Sequence, residues 1–251
     1  MVTGNPVNPF QPPAPGADVV NPSLSGGSLE KAIAGDYDFE IGDVMNEAWS
    51  LTNGFKATFW GGAIFAYVII FGVFFVVSSL SAAIMGSDAG FIVGIAVNIA
   101  SMAVTAPLLM GVVMLGVKRA AGSAVSAGRV VGYLDKTLPA AGASVLTTLL
   151  TYVGAIFLIL PGIYLGLAYG LTMPLIADRN LPVWEAMETS RKALTHKWFR
   201  IFGLYLVVGL ATIASAIPLG IGLIWTVPWS IAVVGVLYRR IFGTAAAAPG
   251  V

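Results

Sequence analysis

The sequence predicts an all-α, polytopic membrane protein: six transmembrane helices forming three hairpins, each preceded by a short amphipathic interfacial helix. Three observations carry this expectation. Hydrophobic residues make up 57% of the 251-residue chain and charged residues only 10%, against about 25% charged in an ordinary soluble domain. Uncharged runs cover 57–87, 89–117, 137–177 and 201–238, and a helical span needs about 20 apolar residues. The last two runs are long enough for two short spans each, and each holds a turn signal: Leu160-Pro161-Gly162 in one, Ile217-Pro218-Leu219-Gly220 in the other.

Taken in order, residues 1–28 contain six prolines and little that packs. They read as a disordered, Pro-rich cytoplasmic arm. No Lys or Arg precedes Lys31 and no long apolar core is present, so a signal peptide is not expected. Residues 29–56 form an acidic and amphipathic juxtamembrane segment. Here Asp43 is placed to cap a helix with Val44, Ala48, Leu51 and Phe55 on one face. The membrane domain, 57–240, then has spans near 57–82, 91–117, 138–160, 162–177, 201–217 and 222–238. Lys118-Arg119 close the second span and Arg239-Arg240 the sixth. A second amphipathic piece carries Val130, Val131, Tyr133 and Leu134 between Arg129 and Lys136. The third is the clearest. Pro182 suits a first helical turn. Glu185 and Glu188 precede Arg191, Lys192 and Lys197, an order that complements the helix dipole. Residues 241–251 are a short cytoplasmic tail.

An internal repeat accompanies this plan. Each even-numbered span contains Thr-x-Pro: Thr105-Ala106-Pro107, Thr172-Met173-Pro174 and Thr226-Val227-Pro228. Asp43-Val44-Met45 also aligns with Glu185-Ala186-Met187, a register that places Trp60-Gly61 on Phe202-Gly203. A proline within a span removes a backbone hydrogen bond and kinks the helix. A nearby Thr hydroxyl, neighbouring helices or water can satisfy the freed carbonyl. Thr105, Pro107, Thr172, Pro174, Thr226 and Pro228, with Asn98 as the strongest polar group at membrane depth, are therefore the candidate kink or cavity residues. The kinks are architectural on one account and line a cavity on the other. Gly90/Gly94 and Gly166/Gly170 have the spacing for close helix approach and are expected to pack internally.

The span interiors hold no ionisable group, whereas chemistry or ion coupling inside a membrane generally needs one. The only histidine, His196, lies eight residues from Glu188, the wrong spacing for a helical metal pair, and is expected at the surface. The chain has no cysteine and none of the familiar nucleotide-binding or hydrolase signatures. No catalytic residue, metal site or cofactor is expected. A net charge of +1 carries no argument about nucleic acid, and no nucleic-acid partner is expected. With both termini inside, all 13 Lys and Arg fall on the cytoplasmic side, as the positive-inside rule requires. Lys118, Arg119, Arg129, Arg191, Lys192, Lys197, Arg200, Arg239 and Arg240 are the candidate contacts to anionic headgroups.

Several short runs resemble a known group. They are Leu160-Pro161-Gly162-Ile163-Tyr164-Leu165, Met173-Pro174-Leu175-Ile176-Ala177-Asp178, and Glu185-Ala186-Met187 continuing through Ser190-Arg191-Lys192-Ala193-Leu194 to His196-Lys197-Trp198. They resemble bacterial multi-pass membrane proteins that include the YciC-like proteins and the membrane domain of some glycerophosphodiester phosphodiesterases. Asn8-Pro9-Phe10-Gln11-Pro12-Pro13 is similar to the Asn-Pro-Tyr-x-x-Pro opening of many small bacterial membrane proteins, with Phe10 replacing Tyr. The resemblance implies six helices in a bacterial inner membrane and no particular reaction. No phosphodiesterase catalytic domain is expected.

The function expected from these features is that of a non-enzymatic inner-membrane scaffold. It would form homo-oligomers or join a membrane-protein partner, hold anionic lipids, and recruit a cytoplasmic partner through Asn8, Pro9, Phe10, Pro12 and Pro13. The alternative is a transporter or channel for a small or lipidic solute, with its cavity at the proline kinks.

Overall fold

The computed structural model describes residues 27–85 and 90–245, with side chains described except at 80, 81, 83–100 and 103. The expected partner residues Asn8, Pro9, Phe10, Pro12 and Pro13 lie outside the described residues, as does the Asn98 side chain. Among the described residues ten α-helices follow in order: α1 Leu29–Ala34, α2 Ile41–Leu51, α3 Lys56–Met85, α4 Gly90–Ala120, α5 Thr137–Phe157, α6 Ile159–Ala168, α7 Thr172–Arg179, α8 Val183–His196, α9 Trp198–Ala216 and α10 Leu223–Phe242. A 3-10 segment, Ala127–Lys136, sits between α4 and α5. Among the described residues the fold is all-helical.

Among the described residues four stretches are long and apolar enough to cross a membrane: Lys56–Ser79, Ala127–Phe157, Ile159–Arg179 and Trp198–Ala216. The outward faces of α3, α5 and α9 explain why. Leu138, Val145, Leu149, Tyr152 and Ile156 are all exposed on α5. On α9 Phe199, Leu206, Leu210 and Ile213 are exposed, and Ile217, which caps it, continues the stripe. The two stripes share the same spacing of seven, four, three and four residues, which keeps a single helical face outward. Ile64, Val68, Phe71 and Phe75 do the same on α3. Such continuous apolar surface suits hydrocarbon and not water.

Expected helix boundaries hold closely in α3, α4, α5 and α9. Two local departures have physical causes. Asp43 does not cap α2: the helix begins at Ile41 and Asp43 lies in its first turn, where its charge still complements the dipole. The fourth apolar segment is not one helix. It breaks over Tyr169–Leu171, so Pro174 is the third residue of α7, a position whose N–H has no helical acceptor to lose. Ser190 repairs the break: its Oγ donates to the Ala168 carbonyl at 2.7 Å and accepts from the Leu171 N–H at 3.3 Å. Pro107 and Pro228, by contrast, lie inside continuous helices.

The amphipathic α8 also departs from a helix lying flat on a lipid surface. It packs along α5, α6 and α7. Val183 at its start lies beside Gly142 of α5, and the Thr195 and Tyr164 hydroxyls meet at 2.7 Å near its end. Its apolar face, with Met187 and Leu194 buried, is therefore covered by protein. The helix α2 behaves likewise, burying Val44 and Ala48.

The axis of the fold is α10, which packs on α1, α2, α3, α4 and α9. Eleven of its residues are buried, from Pro228 to Phe242. Its apolar character serves a protein core that also holds Leu171, Leu175, Leu194 and Ile201. The closest approach is to α4, where the helices meet backbone to backbone. A Cβ built on Gly235 would lie 2.3 Å from the Gly116 carbonyl oxygen, and one built on Gly116 would lie 2.4 Å from that of Ile231. Any side chain at either position forces the helices apart. Gly166 makes a looser internal contact, with Thr151 of α5 at 3.7 Å from its virtual Cβ.

Gly235→Ala is expected to destabilise the fold by about 1–3 kcal/mol, the usual overpacking cost, or more where backbone must move. Gly209→Ala, where a Cβ meets nothing within 4 Å, is the control. Equal thermal stability of the two variants in detergent would show that the α4–α10 contact is not tight.

Candidate functional site: an ionic cluster and two cavities

The ends of α4, α7 and α10 bring ionisable groups together beside α2. The Asp178 side chain is fully buried at the end of α7. It accepts from the Tyr238 hydroxyl at 3.0 Å and the Ala245 N–H at 2.9 Å, with Lys118 Nζ at 3.5 Å. Arg179 Nε stands 3.6 Å from the same carboxylate, beyond a hydrogen bond, while its terminal nitrogen donates to the Phe242 carbonyl at 2.7 Å. Glu47 of α2 is held by two arginines at once. Arg239, only 4% exposed, donates to one carboxylate oxygen and to the Ala120 carbonyl at 2.6 Å. Arg240 donates to the other oxygen at 2.7 Å. Arg119 donates to the Leu51 and Asn53 carbonyls at 3.2 and 2.8 Å. These contacts tie α2, α4, α7 and α10 at one end.

The remaining basic residues divide similarly. Arg191 makes a two-pronged pair with Glu188, at 2.7 and 2.9 Å, and Lys192 stands 3.6 Å from it. The Arg191 hydrogen bonds hold the Glu188 carboxyl below its usual range. Asp38 pairs with Arg200 and Lys197. Its carboxyl is also held low, first by the Phe39 backbone N–H and then by those charges. Of the nine residues expected at headgroups, Lys118, Arg119, Arg191, Lys192, Lys197, Arg200, Arg239 and Arg240 all have protein partners. Arg129 is exposed on the 3-10 segment. His196 is exposed as expected and meets the Ile33 carbonyl at 3.0 Å.

Two cavities lie apart from this cluster. The first, about 380 Å³, sits between α3, α4 and α10 and is lined by Phe59, Trp60, Ala63, Ala66, Val112 and Val227, among others. Here the Pro228 kink is resolved. Pro228 cannot donate to the Ile224 carbonyl four residues back, and Trp60 Nε1 donates to that oxygen instead, at 3.0 Å. The Thr226 hydroxyl contacts the Gly222 carbonyl and Ser215 Oγ, so the neighbouring helix rather than the threonine satisfies the kink. Pro107 is buried and Thr105 half-buried on α4. Thr172 is buried, and its hydroxyl has no hydrogen-bond partner among the described residues. The second cavity, about 370 Å³, lies between α5 and α6 and is lined by Thr147, Thr148, Thr151, Tyr152, Gly166 and Tyr169. Among the described residues no group of three His, Asp or Glu is placed to hold a metal ion.

The three Thr-x-Pro motifs are thus not equivalent: one borders a cavity, one follows a helix break, and one lies in the α4 interior. Apart from the neighbouring Arg179, the partners of Asp178 and Glu47 are not legible in sequence, because they are 60 to 193 positions away. No family model, curated protein or solved structure matches the chain.

Glu47→Ala leaves Arg239 buried without its acid and is expected to cost about 3 kcal/mol. Replacing both residues by apolar ones, Glu47→Leu with Arg239→Met, is expected to recover most of that loss. Additive losses in a double-mutant cycle would show that the pair is not coupled.

Proposed function

We propose that the chain is a non-enzymatic scaffold of the bacterial inner membrane. Its rigid cytoplasmic base holds the basic ends of α4 and α10, and its N-terminal arm recruits a cytoplasmic partner. One observation carries this reading: Asp178 and Glu47 are held by basic partners from α4, α7 and α10, and the two cavities described above are lined without an acid or base other than tyrosine. General acid–base chemistry needs such a group within hydrogen-bond reach of a substrate. The YciC-like resemblance, with its lack of an implied reaction, belongs to the same proposal.

In this reading α3–α4, α5–α7 and α9–α10 are three helix pairs entering the bilayer from the base, with both termini cytoplasmic. Their depths differ. Glu185 and Lys192 on α8 are exposed, and exposed charges do not enter hydrocarbon. Because α8 follows the α5–α7 pair as far as Tyr164, only the end of that hairpin reaches deep lipid. Ile156, Phe157, Leu158, Ile159 and Leu160, 68–82% exposed, form that end. We place it inside the bilayer as a wedge, in place of the two full crossings that length and composition allow.

The cysteine-free sequence makes this directly testable. Leu158→Cys is expected to resist a membrane-impermeant thiol reagent added to either face of sealed vesicles. Full labelling from the far face would restore a complete crossing.

Deleting residues 2–28 is expected to abolish capture of the cytoplasmic partner in a crosslinking pulldown while leaving membrane insertion intact. Undiminished capture would remove the arm from the scaffold's function. A carrier for a lipidic solute is the second reading, favoured by the apolar cavity beside Pro228.

A further inference from the structure

The cavity between α3, α4 and α10 has a chemistry that selects its occupant. Two of its lining side chains carry a polar atom, Trp60 and Tyr67, and the Trp60 N–H is already engaged by the Ile224 carbonyl. Water needs two to four polar partners to occupy such a space, so the occupant is apolar. The floor is low because α3 presents Ala63 and Ala66 there, 4% and 1% exposed. The same helix turns Ile64, Val68 and Phe71 outward, which sets the cavity against the lipid-facing side of the molecule. Its volume is about 380 Å³, at the small end of the about 300–1,000 Å³ typical of ligand sites. That suits one acyl chain and not a whole lipid.

A cation marks one end. Lys56 begins α3, one turn before Phe59 and Trp60. Its ammonium lies over the Trp225 ring, 5.8 Å from the centroid. Among the described residues it has no carboxylate within ion-pair distance, unlike Lys118, Lys192 and Lys197. Trp60 and Trp225 flank it, and tryptophan favours the membrane–water interface.

We propose that this cavity binds one acyl chain of an anionic phospholipid, with the lipid phosphate at Lys56. The proposal rests on the chain being a membrane protein. It does not depend on what the N-terminal arm recruits.

The test uses full-length protein in phosphatidylcholine vesicles doped with phosphatidylglycerol that carries a diazirine on one acyl chain. Illumination is expected to place adducts on α3 and α4 near Ala66 and Val112. Ala66→Phe, which fills the cavity, is expected to lower those adducts severalfold at unchanged helicity. Lys56→Gln is expected to reduce the preference for phosphatidylglycerol over a phosphatidylcholine probe about fivefold, the equivalent of ~1 kcal/mol per basic residue near an anionic surface. Should Ala66→Phe fail to fold, the smaller Ala63→Leu gives the same readout, and adduct positions on the unaltered protein decide independently. Adducts spread evenly over the exposed faces of α3, α5 and α9, or undiminished by either filling variant, would overturn the site. An unchanged lipid preference in Lys56→Gln would overturn the headgroup assignment. Absence of labelling at Ala66 and Val112 in the unaltered protein, with partner capture intact, would sink this proposal alone.

Discussion

The contact between Gly116 of α4 and Gly235 of α10 sets the rest of the geometry. Two helices that touch through their backbones have no freedom to slide or separate without losing that fit. This approach lets Arg239 reach the Ala120 carbonyl and brings Glu47 within reach of both Arg239 and Arg240. It also aligns Tyr238 with the Asp178 carboxylate. A bulkier residue at either glycine would displace the helix on which α1, α2 and α9 also lean.

The ionic cluster then gives the base its definition. An apolar core tolerates several packings at similar energy, whereas a fully buried carboxylate must find its donors. Asp178 has a hydroxyl, a backbone amide and an ammonium around it. Glu47 divides its two oxygens between two guanidinium groups. Such pairs add specificity more than net stability. Basic residues that close apolar runs look like lipid anchors in a linear sequence, but here most of them are recruited inward.

Much of the architecture is legible in the sequence because composition and periodicity are local. The charge-free runs mark α3, α4, α5 and α9, and Pro161 and Pro218 fall at or beside the turns. Val44, Ala48, Met187 and Leu194 announce buried faces that are indeed buried. Pairing is not local, and that is where the sequence falls short. Nothing near Arg239 indicates that Glu47 awaits it, or that Trp60 supplies the donor Pro228 lacks. The break at Tyr169–Leu171 is likewise hidden, because it depends on Ser190 from the next helix. The amphipathic pattern of α8 correctly gives a helix with one apolar face. It does not say whether lipid or protein covers that face, since both are equally apolar.

The position of α10 in the chain bears on how the molecule is made. Gly116 leaves the ribosome long before Gly235, and no local pairing of α4 substitutes for the missing helix. Contacts of such high sequence separation form late and slowly. During synthesis the earlier helices therefore wait with only the α10-facing side of α4 uncovered, its other contacts being mainly to α3, α5 and the 3-10 segment, and with the Glu47 carboxylate without its arginines. The base closes only when α10 arrives, so a translation product stalled before it would present quality-control proteases with an open, incompletely packed surface.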